Sequence, residues 1–192
     1  LLTRYWRQFP NVTVTLNVGN VHFATEAVRN RTCDFAVLLL DPSQNLEGLV
    51  LEPLWEDKLL LLGSPERAAE LRSSTRAITP KTIAKLPFVT SPRDILRRTL
   101  EDQLLYSAGV VSRKVVMELG HPEAMKQAVK QGVGFSFLEE SAAAADIARG
   151  ELAVIPAPRL DLRLPIYLAQ LKDRVLSPMH RRLMAFIRQS AE

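Results

Sequence analysis

The residues of this chain that could do covalent chemistry are few and poorly placed for it. Cys33 stands before Asp34 at the entry of an apolar run, with no histidine near it in sequence, and reads as a small buried hydrophobe rather than a nucleophile. The three histidines, His22, His121 and His180, lack the spacing of a metal site. Glu56-Asp57 and Glu139-Glu140 read as solvated carboxylate pairs. There is no Gly-x-Ser-x-Gly elbow and no Gly-x4-Gly-Lys-Ser/Thr phosphate loop. No catalytic residue, metal or cofactor is therefore assigned. The spacing that does carry chemistry is that of binding turns. Gly19-Asn20-Val21-His22 and Gly120-His121 each join a short apolar run to a helical pattern. The N–H groups at a helix N-terminus carry about half a positive charge. They suit a carboxylate, phosphate or sulfate.

Both turns belong to one pattern written twice. Val14 to Gly19 leads to a helix containing Ala27-Val28 and then to the run Phe35 to Leu40. Val115 to Gly120 leads to a helix containing Ala128-Val129 and then to Phe135 to Leu138. In each copy the alanine lies 8 residues beyond the glycine. Strand, turn and amphipathic helix make a βαβ unit, and two copies predict two similar α/β lobes. Ligands of open α/β sheets sit beyond the carboxyl ends of the strands, so two lobes imply a binding cleft. Any α/β chain can produce such an echo, and the residues alone leave both explanations open.

The remaining pattern fills in around these units. Helix 1–9, strand 12–18, helix 21–31 and strand 34–40 precede a turn-rich loop, Asp41-Pro42-Ser43-Gln44-Asn45. Strands 49–55 and 58–63 follow, broken at Glu56-Asp57. Ser64-Pro65 and Thr79-Pro80 cap short helices, and Ser91-Pro92 caps a longer one ending near Gly109. Strands 87–90, 115–119 and 134–138, helices 122–131 and 139–149, and strands 152–156 and 166–171 complete the chain. Ser177-Pro178 opens a closing helix with Met179, Leu183, Phe186 and Ile187 as its core stripe. Alternating strands and helices predict mostly parallel sheets covered on both faces. Crossings at Leu59–Leu62 and Ile166–Ala169 would place 1–63 with 165–192 in lobe I and 64–164 in lobe II.

Composition narrows the setting. The net charge of +4 is scattered, with Arg97-Arg98 and Arg181-Arg182 read as solvent-facing helix positions rather than a nucleic-acid surface. No run approaches the roughly 20 apolar residues of a membrane span. The opening residues do not make a signal peptide. A lone Cys33 cannot form an internal disulfide, which fits a reducing cytoplasm. The chain opens inside an amphipathic helix (Leu1, Leu2, Tyr5, Trp6, Phe9) without an initiator Met, as expected of a piece of a longer protein.

Across its whole length the chain resembles the effector-binding domain of LysR-type transcriptional regulators. The likeness rests on Leu1-Leu2 to Phe9-Pro10-Asn11-Val12, Gly19-Asn20, and Ala27-Val28 followed by Asp34-Phe35-Ala36-Val37. It continues through Leu54-Trp55-Glu56-Asp57-Lys58-Leu59, Ala128 to Leu138, and Leu176-Ser177-Pro178. Glu139 stands where the family usually has Pro, which puts the local turn in question.

The resemblance implies two Rossmann-like lobes of the type II periplasmic-binding-protein kind with a ligand cleft between them. Its lining would come from Gly19, Asn20 and Val21 in lobe I and from Thr90, Ser91, Gly120, His121 and Ser136 in lobe II. Ser91 reads equally as a helix cap, and His22 and His121 read as surface or capping residues before ligands. Phe135 and Phe137 would be core. The expected ligand is a small, anionic effector. The expected partners are a second copy of the chain, as homodimer or homotetramer, and DNA, reached only through a separate N-terminal helix-turn-helix. A solute-binding protein of a transporter is the alternative function. A small transferase or dehydratase on this fold would need paired titrating groups that the sequence does not offer.

Overall fold

The computed structural model describes residues 1–40 and 46–189. The expected loop at Asp41–Asn45 lies outside them. The chain divides into two compact units, Leu1–Trp55 with Pro165–Glu192, and Glu56–Leu164. The first division thus falls at Trp55/Glu56, within a strand, where the sequence drew it at Gly63/Ser64.

In the first unit, α1 (Leu2–Gln8) turns Tyr5 inward and α2 (Val21–Arg29) buries Thr25, Ala27 and Val28. Helix α8 (Pro178–Gln189) meets α1 through an edge-on contact of Tyr5 with Phe186, centroids 5.3 Å apart. Of the predicted stripe Ile187 is buried and Phe186 packs on Tyr5, with Met184 beside them, whereas Met179 is exposed and is corrected. Strand β1 (Ala36–Leu39) runs antiparallel to β7 (Arg163–Leu171), pairing Ala36 with Ala169 and Leu39 with Ile166.

The strand expected at 12–18 does not form. Residues 12–20 join no ladder, and Leu16 and Val18 are 68% and 83% exposed. Alternating valines suit a pleated surface, but a strand exists only where a neighbour supplies donors and acceptors. Glu56-Asp57, by contrast, does not interrupt anything: β2 is one strand, Leu49–Gly63. Its charged side chains stand off the strand, where Ser141 Oγ donates to Asp57, and the backbone ladder is untouched.

The second unit contains α3 (Pro65–Ser74), α4 (Pro80–Lys85), β3 (Pro87–Thr90), α5 (Leu96–Ser107), β4 (Lys114–Glu118), α6 (Pro122–Lys130), β5 (Ser136–Glu139), α7 (Glu140–Ala148) and β6 (Ala153–Val154). Ser64 Oγ accepts from Arg67 N (3.2 Å) and Thr79 Oγ1 from Thr82 N (3.2 Å), each with proline in the first turn as the sequence predicts. Strand β3 is parallel to β4 and makes a parallel bridge to the chain entering β5 at Phe88 and Phe135. Strand β2 is antiparallel to both β5 and β6. The expectation of a mostly parallel sheet is thereby corrected. A helical crossover forces parallel pairing only on the strands it connects, as α5 does for β3 and β4.

Leu62, Val89, Met125, Val129, Leu138, Ala143 and Leu152 form one buried cluster in this unit. Gly134 sets how closely two of its strands approach: a Cβ there would lie 2.4 Å from the Pro87 carbonyl oxygen. Among the described residues no helix is long and apolar enough to cross a membrane.

Candidate functional site

In the first unit, Gly19, Asn20 and Val21 form the entry to α2. Asn20 is its N-cap, with Oδ1 accepting from Phe23 N at 2.8 Å. Helix geometry leaves the N–H groups of Val21 and His22 without an intrahelical acceptor. A Cβ at Gly19 would lie 2.3 Å from the ring of Phe23, which is half-exposed and would have to turn away. Val21 packs instead against the cluster of Leu38, Leu40 and Ala169, and so offers backbone rather than side chain.

In the second unit the predicted residues gather at one edge. Leu119 N donates to Thr90 O (2.9 Å), which sets the turn Gly120-His121 beside the turn Thr90-Ser91 at the carboxyl ends of β3 and β4. Val89 N donates to Phe135 O (2.8 Å), which brings Ser136 alongside Val89. Thr90 and Ser136 are buried, and neither hydroxyl has a hydrogen-bond partner among the described residues. Strand alternation turns them apart. Ser136 shares the face of Val89 and Leu138 that packs on α6, whereas Thr90 shares the face where the Phe88 and Phe137 rings stack at 5.5 Å.

Ser91 lies on the Ser136 side. It does not cap α5, which begins at Leu96 with no side-chain cap; the cap predicted from Ser91-Pro92 is corrected. Pro92 lacks an N–H, and the backbone makes a separate turn, Ile95 N to Pro92 O (3.2 Å), before the helix starts. The buried Ser91 hydroxyl instead points at Met125 Sδ (3.7 Å), a weak acceptor. His121 is the N-cap of α6, its Nδ1 accepting from Glu123 N (3.2 Å). With Pro122 lacking an N–H and Glu123 in the first turn, this helix end is a poorer place for an anion than that of α2.

Arg97 and Arg98 are buried, not solvent-facing, and carboxylates and carbonyls meet their guanidinium groups inside the unit. Arg97 donates to Glu139 (2.6 Å), Glu101 (2.5 Å) and the Phe137 carbonyl (2.7 Å). Burial alone would lower its pKa, but Glu101 and Glu139 outweigh that and raise it. Arg98 donates to Asp102 (2.6 Å), Ser91 O (3.0 Å) and Glu118 (3.3 Å). Arg113 joins the two sets, pairing with both Glu101 and Asp102. Glu139, where the family usually has Pro, is thus an ion-pair partner rather than a solvated charge. The sequence did carry a signal for this network, in the helical i, i+4 spacing of Arg97 to Glu101 and Arg98 to Asp102.

The family described as the LysR substrate binding domain matches residues 1–192. Among curated proteins, YeiE of Escherichia coli strain K12, an uncharacterized HTH-type transcriptional regulator, is 28% identical over 162 residues, covering 83% of this chain and 53% of YeiE. The chain spans about half the length of the curated relatives it matches. The regulatory domain of CcmR from Synechocystis PCC6803, solved in complex with 2-PG, has a TM-score of 0.80 at 21% identity, covering 100% of this chain and 89% of that one. The bromide ion-bound regulatory domain of HypT from Salmonella typhimurium has a TM-score of 0.74 at 19% identity, covering 100% and 88%. These likenesses establish the fold, the two-lobed type II periplasmic-binding-protein kind. With the match running the full length, the chain belongs to the LysR substrate-binding-domain family, a non-enzymatic family whose relatives here are transcriptional regulators.

Proposed function

We propose that the domain senses a small anionic effector taken up between its lobes, on the α2 turn (Gly19, Asn20, Val21) and the turns of the second unit (Thr90, Ser91, Gly120, His121, Ser136). It self-associates as a homodimer or homotetramer, works in the cytoplasm, and acts on DNA through a helix-turn-helix domain elsewhere in the protein. Effector contact by both lobes biases their arrangement, and self-association passes that bias to the DNA-binding domains. The observation that carries this reading is the pair of buried hydroxyls on one face, Ser91 just past the carboxyl end of β3 and Ser136 at the start of β5, one against a thioether and one without a partner. A buried hydroxyl left unpaired costs about 1–3 kcal/mol, which a ligand oxygen or halide would recover. Proteins of this fold that hold 2-PG and bromide support a small, anionic ligand.

The test is a thermal-shift screen of the domain against carboxylates, phosphorylated sugars and inorganic anions. A ligand near 100 times its dissociation constant should stabilise the fold by about 2.7 kcal/mol. Ser91→Ala is expected to remove most of that shift. Ser136→Ala should weaken it while raising the unliganded midpoint, since its buried hydroxyl has no partner in the fold and its removal relieves that cost. A ligand shift that survives both substitutions intact would place the site elsewhere.

A further inference from the structure

The Ser91 carbonyl is buried, and the local chain gives it no helical partner. Helix α5 starts only at Leu96, and the turn before it closes from Ile95 N onto Pro92 O rather than onto Ser91 O. An unpaired buried carbonyl is costly, so something must supply a donor. Arg98 does so from the first turn of α5. Its Nη1 reaches Ser91 O at 3.0 Å and Glu118 at 3.3 Å, while its Nε is held by Asp102 at 2.6 Å. Glu118 ends β4 and is paired in register with Thr90. One guanidinium therefore ties the residue after β3 to the last residue of β4. With the carbonyl fixed, the Ser91 hydroxyl falls on the opposite side, against Met125.

We infer that Arg98 is a positioning residue for effector binding, holding the turn between β3 and α5 so that the Ser91 hydroxyl is aimed before the effector arrives. This rests on the reading of Ser91 as an effector contact. A lysine cannot replace it, because an ammonium group lacks the planar fork that serves a carbonyl, Glu118 and Asp102 together. Preorganisation of this kind lowers the ordering cost of binding.

The experiment compares the wild-type domain with Arg98→Lys, Glu118→Gln and Ser91→Ala, using inorganic phosphate as the probe. Glu118 is half-exposed, so Glu118→Gln preserves the fold should Arg98→Lys not. Amide hydrogen exchange is followed over residues 89–95 and 118–121, and phosphate affinity is taken from the thermal midpoint. Arg98→Lys and Glu118→Gln should each raise exchange in those two segments by about tenfold, leave α7 unchanged, and weaken phosphate by a similar factor. Unchanged exchange in both variants overturns the inference. So does faster exchange with undiminished phosphate affinity, which would make Arg98 a merely structural residue. Phosphate stabilisation that persists in Ser91→Ala is a different failure: it overturns the effector reading of the turn itself.

Discussion

Asp146 shows how single charges are placed in the second unit. Its side chain is only 3% exposed, and it accepts from Lys126 (2.8 Å), from Arg149 (2.8 Å) and from Lys130. Hydrogen bonds from Lys126 and Lys130 hold its carboxyl far below the usual carboxylate range, against the opposing pull of burial. The folded value lies below the unfolded value of about 3.9. The stability it lends is therefore complete above about pH 4 and is lost as pH falls through the folded value. Asp146→Asn should lower the thermal midpoint at neutral pH and flatten the acid limb of the stability curve. Midpoints of the two proteins recorded down to acid pH check this, and curves that stay parallel would contradict it. At this scale the sequence is a good guide where a side chain serves its own neighbours. The caps at Ser64 and Thr79 are written within three residues of where they act. Arg97 and Arg98 were misread because half of their partners, Phe137, Glu139 and Glu118, are brought in by other elements.

At the scale of elements, what holds the second unit's strand ends together is the close crossing of β3 and the approach to β5. Phe135 N donates to Pro87 O (2.8 Å) and Val89 N to Phe135 O (2.8 Å), with Gly134 directly over the Pro87 carbonyl. A methyl group at 134 meets backbone, which cannot rotate away as a side chain can. Gly134→Ala is expected to destabilise the domain by about 1–3 kcal/mol or more, read from the urea midpoint, and a loss below a few tenths would mean the strands can separate freely. The second copy of the doubled pattern was legible because β4, α6 and β5 all form near their predicted places. The first copy was only half legible. Its helix and following strand exist, but residues 12–18 carry a strand's composition without a strand's partner, and composition cannot report a neighbour. The start of α5 was missed for a related reason: Ser91-Pro92 is a sound cap signal, yet the chain spends three residues on a turn before helix begins.

At the scale of the molecule, the chain spans about half the length of the transcriptional regulators it matches. In the proposed function self-association links sensing to DNA, and light scattering across a concentration series is then expected to show a closed, stoichiometric oligomer. The segment from Val12 to Val18 adds a second concentration dependence. It presents Leu16 and Val18 to solvent on a backbone that joins no ladder among the described residues. Two such segments can pair edge to edge, and a third can add to the pair, with no symmetry to stop the growth. Leu16→Lys should abolish this slow rise in scattering while leaving the closed oligomer intact; loss of both together would show that one surface drives them. The shelf life of the isolated domain in the tube is thus expected to depend on seven residues that lie outside every described sheet.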